Sequence, residues 1–350
     1  MPALDVGEPA PWFAVPQLSG SGRVVLDELA GQDTIVLLVE NLADREAQDL
    51  LSDLAQRLES HSSKIVTIVV CARGDSAAEG LVQHTNWHYA MDGEHRIASL
   101  YGLPPQGFGV TAFVLSAALQ VLAIASGREK ILARIVPLIE ARQRLPPKDL
   151  DAPVLIVPNV FDRDFCAQLI AAYDEEGGRE LGAIEQAGKL VERFDPTFRK
   201  RSDWFVSDDQ MVQRCRDLLV RRLLPLINRA FQFRTTRIER YLVGCYEASA
   251  GGIFRPHRDN TAPLVAHRRF AVTINLNDAY SGGELSFPEF GPRRYSADIG
   301  SAVVFSCSLL HEVKPLLDGT RYAFLTFLYD EEAQRQREDY ASKMPRVSPA

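Results

Sequence analysis

Two unbroken apolar runs, TIVLLV (34–39) and IVTIVV (65–70), constrain the first part of this chain more than any other feature. Both are rich in β-branched residues, and neither alternates with polar ones. Such runs fit strands covered on both faces of a sheet. Between them, REAQDLLSDLAQRLE (45–59) spaces its Leu and Ala residues as an amphipathic helix does. RVVL (23–26) adds a short strand, 95–101 a helix, 110–116 and 119–124 two more strands, and 128–142 another helix. Strands alternating with helices predict a layered α/β domain.

The proline-bearing polar stretch RLPPKDLDA (144–152) reads as a linker. It separates a domain at 1–143 from a second at 153–332, and a polar tail follows at 333–350. The second domain opens with a strand, a turn and an amphipathic helix capped near Asp162. An Arg-rich helix spans 208–230; Arg214, Arg216, Arg221 and Arg222 read as its solvated face. From 236 the texture changes to short strands: RIERYLVGCYE, RRFAVTINLN, GELSFP, SAVVFS and RYAFLTFLYD. Turn-formers such as SGG and LDGT separate them, as in an all-β jelly roll preceded by helices. No internal repeat is visible.

Charge and cysteine usage narrow the function classes. A net charge of −7 over 350 residues argues against nucleic acid as a partner. The five cysteines are odd in number and form no C-x-x-C pair, which fits free thiols in a reducing cytoplasm. The opening MPALDVGEPAPWF lacks the basic and apolar regions of a signal peptide, and no apolar run approaches the ~18 residues of a membrane span.

The segment FRPHRDN (254–260) carries the chemistry. Residues two apart on a strand point the same way, so His257 and Asp259 present an imidazole and a carboxylate to one point. His311, after the strand SAVVFS, stands where a double-stranded β-helix would bring in a third ligand. Two His and one carboxylate leave three positions of an octahedron open, the arrangement of non-haem iron(II) oxygenases. Arg321, ten residues on, offers a guanidinium fork for the distal carboxylate of a chelating 2-oxo acid.

With these segments in place, residues 153–330 resemble the 2-oxoglutarate/iron(II) dioxygenases of the prolyl 4-hydroxylase type. GCYEASAGGIFRPHRDN, RRFAVTINLNDAYSGGELSFPEFG, ADIGSAVVFSCSLLHEVKP and GTRYAFLTFLYD carry the resemblance. It implies iron(II) held by His257, Asp259 and His311, and 2-oxoglutarate paired with Arg321. It also implies a co-substrate role for Tyr246, and for Asn275 where some members place a tyrosine. Gly282 and Gly283 then serve backbone geometry. O₂ and 2-oxoglutarate would be consumed to hydroxylate a C–H bond, with succinate released and ascorbate as reductant. The substrate would be a protein or peptide residue, or a small amino-acid-like metabolite. The polar stretch DPTFRKRSDWFV (195–206) reads as a loop over the active-site mouth, with Arg201 and Trp204 as substrate contacts.

Residues 5–142 resemble the thioredoxin fold in its peroxiredoxin branch, on VGEPAPWFAVPQLSGSGRVVLDELAGQDTIVLLV and GEHRIASLYGLPPQGFGVTAFVLSAALQVL. The family's loop ending in a peroxidatic cysteine is replaced by ENLADREAQDL, and Cys71 reads as a buried, inert thiol. The resemblance implies a degenerate redoxin that serves in homodimerisation, in covering the oxygenase site or in partner binding. His84 and His88, four apart, could hold a metal on a helix, and His95 and Trp87 lie close by. The tract Trp87-His88-Tyr89 reads instead as a strand start with structural histidines. His267 reads as a loop residue outside the ligand set. The competing class is a non-catalytic scaffold with two decayed sites.

Overall fold

The computed structural model describes residues 3–18, 22–61, 64–73, 86–146, 149–180, 183–186, 189–192 and 195–343. The chain divides into two compact units, Met1–Leu150 with Pro288–Pro292 and Asp151–Phe287 with Arg293–Ala350. No helix among the described residues is long and apolar enough to cross a membrane.

In the first unit the two apolar runs lie side by side as the parallel strands Asp33–Asn41 and Ile65–Arg73. Trp87–Met91 extends the sheet in parallel beyond Ile65–Arg73, and Val110–Leu115 and Val121–Ser126 extend it antiparallel on the other side. The helix Arg45–Leu58 buries Leu50 and Leu54 against Ile35, Leu37 and Val69. Arg128–Arg144 buries Ile131, Ile135 and Ile139 in the same core. The last strand starts two residues later than its sequence suggests. Leu119 takes a left-handed φ of 57° and its N–H bonds Ser116 O at 2.8 Å, so a tight turn occupies the expected start.

In the second unit the strands pair antiparallel in two main sheets, with a separate two-stranded ribbon of Ala183–Gln186 and Lys189–Glu192. The minor sheet runs Arg199–Lys200, Ile253–His257, His311–Val313, Leu285–Ser286, Arg294–Tyr295. The major sheet is built on the 14-residue strand Leu316–Tyr329, flanked by Phe270–Asn275 and Leu242–Glu247. Beyond these lie Ala302–Ser306 and Leu155–Val157 on one side and Ser202–Phe205 on the other.

The two-residue period sorts the major sheet's side chains. Trp204, Val243, Cys245, Val272, Ile274, Phe324 and Leu328 enter a core with Phe161, Phe165 and Leu169, and with Leu219, Leu223 and Ile227. Phe161 precedes the first helix, and the others come from Arg163–Glu176 and from the run Asp209–Phe231, interrupted by one π-helical turn at Leu219–Leu223. Asp162 caps the first of these helices, its Oδ1 accepting from Phe165 N at 2.9 Å. Asp203, Phe205, Tyr246, Thr273, Arg321, Leu325 and Phe327 take the other face, toward the minor sheet, and line a cavity.

All five cysteines are buried and unpaired. Burial pushes the Cys71 thiol up to about 11, and its Sγ points to Ala90 O at 3.3 Å. Burial likewise raises Cys166 and Cys245 to about 11 and Cys215 to about 12. Thiolates are the reactive form. The native protein is therefore expected to leave a thiol-specific chromogenic disulfide unreacted and to consume no peroxide, whereas all five thiols react after denaturation. Rapid labelling of a single site in the native state contradicts this.

Candidate metal centre

Strand register brings the two histidines together. His257 ends Ile253–His257 and His311 begins His311–Val313, and the two residues are direct partners with ring centroids 4.3 Å apart. Asp259 lies beyond the strand's end, in the turn that follows. Its carboxylate converges because its own N–H is tied to Cys307 O at 3.0 Å, rather than by strand pleat alone. Asp259 Oδ1 stands 3.7 Å from His257 Nε2, and Oδ2 stands 3.4 Å from His311 Nε2. Among the described residues these three form the group of His, Cys and acidic side chains able to share an ion. His88 sits in the strand Trp87–Met91 and His95 at a left-handed turn, neither in such a group; His84 lies outside the described residues.

The donor set suits a divalent metal. His257 Nδ1 meets Arg255 O at 2.7 Å, and His311 Nδ1 meets Leu309 O at 3.0 Å. A carbonyl only accepts, so each Nδ1 carries the proton and each Nε2 lone pair faces Asp259. Burial, with His311 close by, pushes His257 down to about 3, which keeps its ring neutral. Ligands about 2.1 Å from one ion and at right angles stand roughly 3 Å apart, so a small contraction completes the site. Aromatic rings surround it: Phe254 stacks on His257 at 3.6 Å, and Phe305 lies 4.6 Å from His311.

Arg321 is 4% exposed and stands directly across the strand pair from Tyr246. Its Nη2 donates to Asn275 Oδ1 at 2.8 Å, and Asn275 Nδ2 donates to Ala297 O at 2.6 Å. Those two partners fix the amide's orientation, because a guanidinium only donates and a carbonyl only accepts. Asn275 therefore holds Arg321 in place, with its amide oxygen spent on the guanidinium and one amide proton on Ala297 O. Gly283, at φ +69°, leaves room for Arg321, whose Cδ would lie 3.1 Å from any Cβ there. No carboxylate among the described residues pairs with Arg321. A buried cation without a counter-charge is costly, so the site suits an anionic ligand.

The stretch 195–206 is not a loop throughout: Arg199–Lys200 joins the minor sheet and Ser202–Phe205 the major one. Arg201 faces the cavity, with Nε 2.5 Å from Asp203 Oδ1 and Nη1 3.3 Å from Tyr246 Oη. Trp204 does not: it is 5% exposed, sits in the helical core and donates from Nε1 to Glu176 Oε2 at 2.8 Å. Alternation along the strand sends it away from its neighbours Asp203 and Phe205, which line the cavity. Thr273, Arg199 and Arg240 also line this space of about 560 Å³ and escaped the sequence reading. The hydroxyl of Thr273 is buried without a partner, two residues before Asn275 on the same face. That spacing was the available signal.

Behind the cavity, Glu239 accepts from His267 Nε2 at 3.1 Å and from Arg268 at 2.5 and 2.8 Å. Arg268 also reaches Asp259 O at 3.5 Å. His267 thus lies outside the ligand group and is 3% exposed.

No family model matches the chain. A PKHD-type hydroxylase of Stutzerimonas stutzeri is 25% identical over 194 residues, spanning 52% of this chain and 82% of its own length. A PKHD-type hydroxylase of a Shewanella species is 28% identical over 199 residues, spanning 51% and 81%. Of solved structures, a prolyl hydroxylase of Trichoplax adhaerens in complex with a hypoxia inducible factor peptide is 19% identical. It covers 55% of this chain and 88% of its own, at a TM-score of 0.41, too low to bear on the fold.

Burial would raise Glu239, but the hydrogen bonds from His267 and Arg268 and the nearby guanidinium charges outweigh it and hold the carboxyl down at about 2. A folded-state value below the ordinary 4.5 means stabilisation complete above pH 4.5 and lost as pH falls toward 2. Linkage puts it at about 3 kcal/mol. Glu239→Gln is expected to lower unfolding free energy by that order at pH 7, with the deficit shrinking below pH 4.5. Denaturant titrations of both proteins across pH measure it, and a pH-independent deficit contradicts it.

Proposed function

We propose that this chain is a 2-oxoglutarate- and O₂-dependent iron(II) hydroxylase acting on a C–H bond of a protein or peptide residue or of a small amino-acid-like metabolite. One observation carries the reading. A two-His, one-Asp group with both Nδ1 atoms tied to carbonyls shares its cavity with a buried arginine that lacks an acidic partner. Similarity to PKHD-type hydroxylases over about half the chain supports it.

His257, Asp259 and His311 would hold the metal, and Arg321 the distal carboxylate of 2-oxoglutarate. Asn275 keeps Arg321 aimed, and the unpartnered hydroxyl of Thr273 is a second donor near it. Tyr246 contributes its ring face, 5.5 Å from the Arg321 guanidinium carbon. Bound iron(II) with 2-oxoglutarate supplies the chemistry that oxidises an unactivated C–H bond. The chain's part is to fix the ligand tautomers and to orient the co-substrate. Phe254 and Phe305 keep water from the imidazoles. The first unit, whose redoxin-like loop carries no thiol, is a non-redox module in this reading.

Anaerobic titration with iron(II) and 2-oxoglutarate, read by the visible charge-transfer band of the chelate, tests the proposal. Asp259→Ala is expected to abolish the band. Arg321→Ala is expected to keep metal binding and weaken 2-oxoglutarate on the order of a hundredfold, the loss of a charged hydrogen-bonding pair. A wild-type protein that binds no iron(II) and releases no succinate with any compound removes the enzyme reading and leaves a scaffold.

A further inference from the structure

Arginines crowd the cavity beyond Arg321. Arg201 and Arg199 both use Asp203, with Arg199 Nη2 2.5 Å from Oδ2. Arg268 uses Glu239, which His267 shares. These two carboxylates are thereby fully engaged.

Arg240 remains. It lines the cavity and makes no hydrogen bond or ion pair among the described residues. Its Nε is sealed from solvent without a partner. Its guanidinium lies 4.6 Å from the Phe327 ring centre, and Arg268 shares that ring at 3.9 Å. Burial, with Arg268 and Arg201 adjacent, lowers Arg240 to about 10, so it stays charged at neutral pH. Four guanidinium groups therefore face two carboxylates on this side of the cavity.

Under the proposed function, iron(II), Asp259, 2-oxoglutarate and Arg321 balance one another in charge. The surplus is left for whatever else enters. We infer that the substrate carries a carboxylate and that Arg240 binds it. A single free fork matches a carboxylate's two oxygens, and desolvation by Phe327 strengthens the pair. The carboxylate could belong to a free acid or to an acidic side chain of a peptide. Phosphate, which draws on more donors, is the rejected occupant. Arg240 is neither a metal ligand nor a co-substrate residue, so the inference rests on the proposed function but can fail separately.

The test uses full-length protein holding iron(II) and saturating 2-oxoglutarate without oxygen. Calorimetry then follows added benzoate, N-acetyl-L-glutamate, a glutamate-bearing peptide with its glutamine twin, and inorganic phosphate. A second carboxylate is expected to bind, with affinity cut ten- to a hundredfold in Arg240→Met and largely recovered in Arg240→Lys. Preference for the glutamate peptide over its twin assigns the acid to a peptide, and preference for the small acids assigns it to a metabolite. The charge-transfer band of Arg240→Met reports that the variant is folded. Normal binding of 2-oxoglutarate with no second carboxylate overturns the inference and leaves the hydroxylase reading intact. Tighter binding of phosphate than of any carboxylate also overturns it. Failure to bind iron(II) or 2-oxoglutarate overturns both.

Discussion

The second unit depends on one constraint: the major sheet must be apolar on one face and charged on the other. The helices Arg163–Glu176 and Asp209–Phe231 cover the apolar face. With that face committed, the strand period leaves Asp203, Tyr246, Thr273 and Arg321 pointing the opposite way. A one-residue slip of the long strand Leu316–Tyr329 would place Arg321 among Phe161 and Leu169. Its register against Leu242–Glu247 and Phe270–Asn275 is thus a condition for the cavity to exist.

The polar side of that sheet is stabilised by pairing rather than by solvent. Asp203 serves two guanidinium groups, Glu239 serves Arg268 and the His267 ring, and Gly244 leaves room for Arg201, since a Cβ there would meet Arg201 Cδ at 2.8 Å. Buried ion pairs rarely add net stability over apolar packing. Here they set a fixed positive field around the metal group. Burial depresses Arg240 first, and the guanidinium crowding that pulls Glu239 down depresses it further.

Much of this was legible in the sequence. The unbroken runs 34–39 and 65–70 fold as adjacent central strands because nothing polar in them could face water. His257, Asp259, His311 and Arg321 stood out because their types and order match a chemistry. Trp204 misled for a physical reason: in RKRSDWFV the charged residues take the interior face, paired with one another, so the usual equation of polar with exposed inverts. Arg240 was invisible for a related reason. A lone Arg in the short link between Arg237–Ile238 and Leu242–Glu247 carries no periodic mark, and only the lack of a hydrogen-bonding partner in three dimensions distinguishes it.

The amide of Asn275 is pinned at both ends, oxygen to Arg321 and nitrogen to the carbonyl of Ala297. Deamidation exchanges that nitrogen for oxygen. The aspartate so formed faces a carbonyl it can no longer satisfy and offers Arg321 a permanent counter-ion. A guanidinium neutralised from within has little left for an incoming anion. An acid at this single buried position would thus compete with any incoming anion for Arg321.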